Sequence, residues 1–364
     1  MSEGTPGGWT AVDRLLDEAL AARVGSAAEI VVRAGGEEVH RYAAGLARRV
    51  PTPRPLVDPP LWDLASVTKA LVGAPVAWAL IDEGALAFED EAASIVPGAA
   101  PGVTIAQLLS HSSGYPPWSP LYEAVAPDAW GSPEAREQVI AAAVSTPLQS
   151  TPGEAHAYSD LGFLTLCAAA EAAGGDRLDG LWRRLVAGPL GLDEGGLCWA
   201  PGPRPDVVAV EDCPVRGGVV EGEVHDLNCA SMGGIASHAG LFGTGRGVAA
   251  AGQAFLDRFL DRSHGGGSPA QVRAWTEGGA GSHRLGWDGV SRPSSTGDYF
   301  PDDAVGHLGF TGTSLWVIPS LEVVITLLTN RVHPALDTRI RTLRPAVHDA
   351  VMVALGVAGG AHTG

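Results

Sequence analysis

The chain has 364 residues, of which 45% are hydrophobic and 18% charged, a balance typical of a globular protein with a sizeable core. Its formal net charge of −17 opposes contact with a phosphate backbone or an acidic membrane surface, so we expect neither nucleic acid nor a membrane as partner. No apolar run reaches the roughly 18 residues of a membrane-spanning helix, and the N-terminus lacks the basic and apolar regions of a secretory signal. Together with four scattered cysteines, these features predict a cytoplasmic protein.

Hydrophobic periodicity divides the chain into elements. The N-terminal part predicts a helix over 10–22 and a β-hairpin that turns at Gly35-Gly36. The central part predicts helices over 67–84, 103–114, 132–145, 159–175 and 177–191. The C-terminal part predicts irregular structure over 195–245, helices over 245–262, 268–277 and 338–355, and strands over 282–289, 304–319 and 321–332.

The order of these elements predicts the fold class. Strands come from both ends of the chain and helices from its middle, which favours an α/β protein of the α+β type. We expect an antiparallel sheet flanked by helices, formed by residues 1–64 and 195–364. A mostly helical lobe, residues 65–194, is inserted into it, and the active site is expected between the two. The oligomeric state stays open.

A single lysine stands among the 24 basic residues, Lys69, and Ser66 lies three positions before it. Residues three apart share one face of a helix, so the hydroxyl and the amine are expected to be close together. A serine needs a neighbouring base to become a nucleophile, and a lysine serves when burial and a helix N-terminus lower its pKa. Arginine stays protonated and cannot serve. The alternative is a surface lysine left by an arginine-rich composition.

Two further stretches carry groups that suit the same chemistry. Tyr158 precedes a predicted helix, and a tyrosine beside a cationic lysine can have its pKa lowered and relay protons. The alternative is a tyrosine whose ring belongs to the core. Residues 306–313 (GHLGFTGT) form a glycine-rich strand. Such a strand fits the wall of a cleft that offers a backbone N–H to an oxyanion, or else a bulged edge strand.

Other candidate sites are weaker. The eleven histidines include His111, His225 and His238, but none has the spacing of a metal site, so we expect no metal and assign them to hydrogen bonds that hold loops in place. The segment GTGRG at 243–247 lacks the lysine of a phosphate-binding loop. Most tryptophans are expected in the core, and three are expected to line the cleft: Trp62, Trp118 and Trp316.

Taken in order, these stretches resemble the motifs of the serine β-lactamase and penicillin-binding-protein superfamily. The resemblance is closest to the class C β-lactamase branch, which includes related esterases, D-aminopeptidases and transacylases. That branch has Ser-x-x-Lys, then Tyr-x-Asn, then Lys-Thr-Gly or His-x-Gly. The matching positions are Ser66-Val67-Thr68-Lys69, Tyr158-Ser159-Asp160 and His307-Leu308-Gly309. Residues 108–116 and 222–242 also resemble segments of the branch, and the whole likeness covers about residues 20–355.

The resemblance implies roles for these residues. Ser66 would be the acylated nucleophile, Lys69 its base or proton partner, and Tyr158 the base for the alcohol or water. The backbone N–H groups of Ser66 and Phe310 would form the oxyanion hole. His307 would take the place of the third-motif lysine, and no cofactor is implied.

Several positions depart from the branch's pattern. Asp160 stands where asparagine is usual, and a carboxylate facing Lys69 would raise the pKa of that lysine and make Tyr158 the better base. His307 replaces a fixed cation by a group close to neutrality at pH 7, which weakens recognition of a carboxylate. Phe310 makes the pocket more apolar. Gly309 and Trp316 are expected to support substrate binding.

Four functional hypotheses follow. The first is a serine hydrolase that forms a Ser66 acyl-enzyme with a small carboxylic ester or amide. The second is an acyltransferase with the same chemistry. The third is a non-catalytic acyl-binding module, disfavoured because all three motifs hold chemically competent residues. The fourth is a β-lactamase or D,D-peptidase, disfavoured by His307 and by the missing secretory signal.

Overall fold

The central element of the protein is a seven-stranded antiparallel sheet. The structure, a computed structural model, describes residues 8–192, 196–263, 266–279 and 281–357. The seven strands are β1 (Ala27–Ala34), β2 (Glu37–Arg48), β3 (Arg54–Pro55), β9 (Asp288–Gly289), β10 (Val305–Leu308), β11 (Ser314–Ile318) and β12 (Val323–Thr329). Their order across the sheet is β3-β2-β1-β12-β11-β10-β9, so the N-terminal hairpin pairs directly with the last strand of the chain.

Eleven α-helices surround this sheet in the described part of the chain. They are α1 (Gly8–Ala21), α2 (Ala74–Asp82), α3 (Ala92–Ile95), α4 (Ile105–Leu109), α5 (Pro133–Val144), α6 (Asp160–Gly174), α7 (Leu178–Trp182), α8 (Leu227–Ser231), α9 (Gly245–Phe259), α10 (Pro269–Thr276) and α11 (Ile340–Ala354). Ser132 caps α5 by accepting the amide of Ala135, as its sequence predicts. Two π-helical turns extend this set, Lys69–Gly73 ahead of α2 and Arg183–Ala187 after α7.

The two faces of the sheet are covered by different helices. Leu315 and Val317 on β11 belong to the large core that includes α9 and the helices of the lobe. Trp316 and Ile318 belong instead to a second core with residues of α1 and α11. Side chains alternate across a strand, so both faces of β11 are buried and the sheet lies between two helical layers. The predicted fold class, an antiparallel sheet with flanking helices, is confirmed.

The region between the lobe and α9 has more regular structure than its sequence predicts. Over 195–245 the expectation of irregular chain is only partly right, because two short strands of this region join a strand from the N-terminal part in a second sheet with the order β4-β8-β5. They are β4 (Leu61–Asp63), β5 (Leu197–Trp199) and β8 (Leu241–Thr244). Strands β6 (Asp212–Cys213) and β7 (Gly218–Val219) form a separate two-stranded antiparallel ribbon. The predicted boundary at 194/195 lies outside the described residues.

The predicted strand over 304–319 is two strands rather than one. β10 ends at Leu308 and β11 begins at Ser314, and they pair antiparallel around a turn. The turn is closed by the Gly309 amide, which donates to the Thr313 carbonyl at 2.7 Å. Gly312 has φ of +113°, a backbone conformation that favours glycine. The segment over 282–289 likewise contributes only Asp288–Gly289 to the sheet.

Trp316 does not line the cleft as expected. It is fully buried on the face of the sheet that points away from the lobe, with its ring centroid 5.9 Å from that of Phe300. A Cβ on Gly306, its partner on β10, would come within 2.5 Å of the indole, which explains the glycine there. Trp62 is also buried, and its indole donates to Glu29 at 2.9 Å.

None of the described helices is long and apolar enough to cross a membrane.

Candidate active site

The serine of the first motif lies on a tight turn between β4 and the helix that follows. Ala65, just before it, has φ of +46°, a strained conformation for a residue with a side chain. The Asp63 carboxylate holds this turn, because it accepts the Ala65 amide at 2.8 Å and the His225 amide at 2.6 Å. The carbonyl of Ser66 accepts the Lys69 amide at 3.0 Å, which begins the helix. Ser66 is therefore presented at the start of the helix with its hydroxyl partly exposed.

Lys69 lies below the serine with its side chain completely buried. Its Nζ atom is 3.0 Å from Ser66 Oγ, 2.6 Å from Asp160 Oδ1 and 3.4 Å from the His238 carbonyl oxygen. Burial lowers the pKa of Lys69, but the charge of Asp160 and the contact with Tyr158 outweigh it, and the pKa lies above the ordinary value. The amine is thus a charged donor to three oxygens at neutral pH.

Tyr158 completes the group around Ser66. The Lys69 ammonium lies 4.8 Å from the centre of its ring, and the interaction of the tyrosine hydroxyl with Lys69 and Ser66 acts to lower the pKa of Tyr158. The loop is held on both sides of the ring: the Ser159 amide donates to His111 Nδ1 at 3.0 Å, and the Asp160 amide donates to the Pro117 carbonyl at 2.9 Å. The imidazole of His111 packs on the phenol with 4.4 Å between ring centroids.

The expected lowering of the Tyr158 pKa is wrong. Burial of the phenol raises its pKa, and the nearby Lys69 charge reduces this rise without cancelling it. The Asp160 carboxylate adds to the rise. Tyr158 is therefore a neutral phenol at pH 7, able to pass a proton on while receiving one, and not a standing base.

The backbone N–H groups of Ser66 and Phe310 have no intramolecular acceptor in the described part of the chain. Phe310 follows Gly309 in the turn between β10 and β11, and both Ser66 and Phe310 line the same cleft. Free N–H groups at such a place suit the stabilisation of an oxyanion. The assignment of these two N–H groups to an oxyanion hole stays a prediction.

His307 lies on β10 on the same face as Val305, toward the lobe, and is buried. Its Nδ1 is 2.9 Å from the Leu308 carbonyl oxygen, so Nδ1 carries the proton and Nε2 is left as an acceptor without a partner among the described residues. Burial and the Lys69 charge hold the pKa of His307 well below its usual range. The third motif therefore supplies a neutral ring and no cation.

Three histidines meet beside Tyr158, a grouping that the sequence spacing does not reveal. His111, His283 and His307 each place a ring nitrogen within 4.8 Å of the other two. In His111, however, Nδ1 accepts the Ser159 amide, so the neutral ring carries its proton on Nε2 and has no free lone pair for a cation. The Lys69 charge, which helps to lower the pKa of all three rings, opposes a second cation as well. The trio suits neutral hydrogen-bonding groups better than a metal ion.

Three arginines line the cleft, and sequence reasoning missed them. Arg331 follows β12, and Arg341 and Arg344 lie on α11. None of them forms an ion pair in the described part of the chain. Burial and the charge of Arg331 lower the pKa of Arg344 to about 9. Unpaired guanidinium groups that line a cleft, in a chain of net charge −17, indicate a place for an anion.

The cleft has a volume of about 1040 Å³, open to solvent, with Ser66 at its base. Trp118 and Phe310 line it and are roughly half exposed, at 47% and 49%. Of the three tryptophans expected in the cleft, only Trp118 is there. The remaining lining combines apolar side chains with the histidines and arginines described above and with the carboxyl groups of Glu211, Asp226 and Asp288.

A sheet between helical layers, with a serine, a lysine and a tyrosine meeting at a cleft, is typical of serine hydrolases of the β-lactamase type. The chain belongs to the β-lactamase family, whose model matches residues 12–349.

Relatives and solved structures agree with this membership. The chain is 26% identical over 364 residues to "N-acetylmuramyl-L-alanine amidase" of Bacillus subtilis (strain 168), covering 90% of this chain and 82% of that protein. It is 29% identical to "Putative D-alanyl-D-alanine carboxypeptidase" of Escherichia coli (strain K12), covering 75% and 69%. Among solved structures, "EstCE1, a hydrolase with promiscuous acyltransferase activity" matches with a TM-score of 0.74 and 19% identity over 94% of this chain and 98% of that one. A class C β-lactamase mutant matches with 0.71 and 16% over 94% and 96%. At these identities the solved structures establish the fold alone.

Proposed function

We propose that the protein is a serine hydrolase that forms an acyl-enzyme on Ser66 with a small carboxylic ester or amide. The observation that carries the proposal is the 3.0 Å contact between Lys69 Nζ and Ser66 Oγ beneath an open cleft. A buried lysine whose amine contacts a partly exposed serine hydroxyl and a tyrosine is the arrangement of an activated nucleophile and its proton partners.

Acylation follows from the protonation states. Ser66 Oγ attacks the carbonyl carbon, and its proton passes to the Tyr158 oxygen as Tyr158 gives its own proton to the leaving alcohol or amine. Lys69 stays charged throughout and stabilises the negative charge that develops on both oxygens. The N–H groups of Ser66 and Phe310 receive the carbonyl oxygen. Water, or another alcohol, then returns through the same relay and releases the acyl group.

The experiment that tests this function is turnover of nitrophenyl esters of graded acyl length, with product analysis in the presence and absence of an added alcohol. We expect release of nitrophenol with an initial burst, and carboxylic acid as the main product in water. A transfer product that dominates at moderate alcohol concentration would favour the acyltransferase, an activity that the structurally similar hydrolase EstCE1 has as a promiscuous one. Absence of any ester or amide turnover above the buffer rate would overturn the proposal.

The Asp160→Asn variant separates the two proton partners. Asp160 raises the pKa of Lys69 against the effect of burial, so its removal should let burial bring that pKa below the ordinary lysine value of 10.5. The lysine then loses its proton as pH rises within the measurable range. We expect the variant's kcat/KM profile to show an alkaline ionisation that the wild-type profile lacks. An unchanged profile would contradict the assignment of Asp160 as the group that keeps Lys69 charged.

A second candidate function is supported by the arginines of the cleft. Arg331, Arg341 and Arg344 supply the positive charge that His307 does not, and an anionic substrate would satisfy it. A β-lactam or a peptide with a terminal carboxylate has such a group, and two relatives carry names of cell-wall peptide chemistry. The candidate is therefore a D,D-peptidase or β-lactamase acting through the same Ser66.

Arg341→Gln tests this candidate. Arg341 is exposed and makes no hydrogen bond to the turn at 309–313, whereas Arg331 and Arg344 both do. If the arginines bind a carboxylate, the variant's KM for an ester substrate that carries a carboxylate should rise about tenfold, as expected for one charged hydrogen bond. Its KM for the same ester with a neutral amide in place of that carboxylate should be unchanged. Arg339→Gln, which is exposed and paired with Asp337, is the matched control. Equal effects on both substrates would contradict anion recognition.

A further inference from the structure

Two buried threonines connect the turn after β10 to the residues before the nucleophile. Thr311 Oγ1 donates to the Asp63 carbonyl at 2.8 Å, and Thr313 Oγ1 donates to the Leu64 carbonyl at 2.9 Å. Both side chains are buried, at 1% and 0% exposure. No sequence motif singles them out for this role, because their acceptors lie about 250 residues earlier in the chain.

These two hydrogen bonds connect the two segments that carry the N–H groups of Phe310 and Ser66. Their acceptors, Asp63 and Leu64, directly precede Ala65 with its φ of +46° and then Ser66. Their donors, Thr311 and Thr313, belong to the turn that carries Phe310. The two threonine hydroxyls therefore attach the turn that carries Phe310 to the segment before Ser66 at a point beyond the end of β10, which is at Leu308.

The glycines of the turn permit this close approach. A Cβ on Gly309 would collide with Thr313 Oγ1 and lie 2.6 Å from the Leu64 carbonyl oxygen. At the other end of the turn, the hydroxyl of Thr329 donates to the Gly312 carbonyl at 3.0 Å. The backbone of the turn thus packs directly against the backbone before Ser66, and the threonine hydroxyls donate to the carbonyl groups between the two segments.

We propose that Thr311 and Thr313 are positioning residues for the oxyanion hole: they fix the turn at 309–313 against Asp63 and Leu64, so that the N–H groups of Phe310 and Ser66 converge on one oxygen. The inference rests on the proposed acyl-enzyme at Ser66. It assigns the two threonines no contact with substrate and no part in proton transfer.

The variants Thr311→Val and Thr313→Val keep the shape of each side chain and remove the hydroxyl. Each removes one hydrogen bond between the turn and the segment before Ser66 and so frees the turn to shift, although the Leu64 carbonyl still accepts the Val67 amide at 3.1 Å. Because a misplaced donor weakens transition-state stabilisation more than substrate binding, we expect kcat to fall about tenfold in each single variant and about a hundredfold in the double variant, with little change in KM. Affinity for a boronic acid, whose tetrahedral adduct occupies the oxyanion hole, should fall in parallel.

Two controls separate positioning from loss of stability. Thr326→Val, on β12, removes the hydroxyl of an equally buried threonine that has no hydrogen-bond partner among the described residues, and should leave kcat unchanged. Thr311→Ser and Thr313→Ser keep the donor and should recover most of the lost kcat even where their unfolding temperature is as low as that of the valine variants.

The outcomes are distinguishable. Loss of kcat with unchanged KM, parallel loss of boronic acid affinity and recovery by serine support the proposal. A valine double variant with wild-type kcat, or variants whose loss follows unfolding temperature and is not recovered by serine, would overturn it. Ser66→Ala measured alongside reports on the proposed function separately: if that variant keeps full activity, the acyl-enzyme itself is wrong, whatever the threonines do.

Discussion

Replacing Lys69 by arginine should lower kcat by about a thousandfold or more, while the far-UV circular dichroism and the cooperative thermal transition remain. The Nζ atom of Lys69 donates to three oxygens at once, those of Ser66, Asp160 and the His238 carbonyl. One compact ammonium can do this, whereas the donors of a guanidinium lie in a plane and need more room. The site offers no such room, because the lysine side chain is completely buried.

The matched control is Lys69→Met, which keeps the length of the side chain without its charge. Both variants should lose activity, which would show that neither positive charge alone nor side-chain length alone suffices. Kinetics with a nitrophenyl ester and a parallel thermal unfolding curve make the measurement. An arginine variant within about threefold of the wild-type kcat would contradict the role given to Lys69.

Replacing Tyr158 by phenylalanine should lower kcat by about a hundred- to ten-thousandfold, the usual range for loss of a proton-transferring group. Since Asp160 keeps Lys69 charged, the neighbouring Tyr158 hydroxyl is the group that we propose takes the Ser66 proton. KM should change little, because the phenyl ring keeps the packing against His111 and His283. The burst of nitrophenol should be lost with the steady-state rate, since acylation itself is slowed.

Tyr299→Phe is the control for this prediction. Tyr299 is 39% exposed and does not line the cleft, so removal of its hydroxyl should leave both kcat and KM as they are. A Tyr158→Phe variant with near-normal kcat would transfer the proton-accepting role to Lys69. The Asp160→Asn variant would then be expected to gain activity at a lower pH than the wild type, because loss of the carboxylate lowers the pKa of the lysine that acts as base.

The parts of the fold that sequence predicts are those governed by local periodicity. The N-terminal helix, the hairpin at Gly35-Gly36 and the capped helix after Ser132 all occur close to the predicted positions. The proximity of Ser66 and Lys69 is local in the same sense, because two residues three positions apart in a helix lie on the same face and close together.

The errors come from interactions between distant segments. The strand predicted over 304–319 breaks at the turn after Leu308, because Gly309 and Gly312 let the chain reverse against residues near Ser66. Trp316 falls on the wrong face for the cleft, since its strand is buried on both sides and hydrophobicity alone does not distinguish them. The sequence does not indicate the arginines of the cleft either, because they come together only when the last strand and the last helix are folded; they are Arg331, Arg341 and Arg344.

The protonation states could not be derived from sequence either. Proximity of a cation predicts a lowered tyrosine pKa, but burial of Tyr158 acts in the opposite direction and is the larger effect. Burial depends on how closely the lobe approaches the sheet, and no spacing of residues encodes it. The sequence did indicate the right cause for Lys69, because a carboxylate in place of asparagine at 160 does face the amine.

The most direct test of the account is intact-mass spectrometry after reaction with a phosphonate ester, followed by peptide mapping. We expect a single covalent adduct on Ser66 in the wild-type protein, slower adduct formation in Lys69→Arg, and no adduct in Ser66→Ala. A wild-type protein that forms no adduct, or forms one on another residue with Ser66 unmodified, would contradict the central claim that Ser66 is the acylated nucleophile.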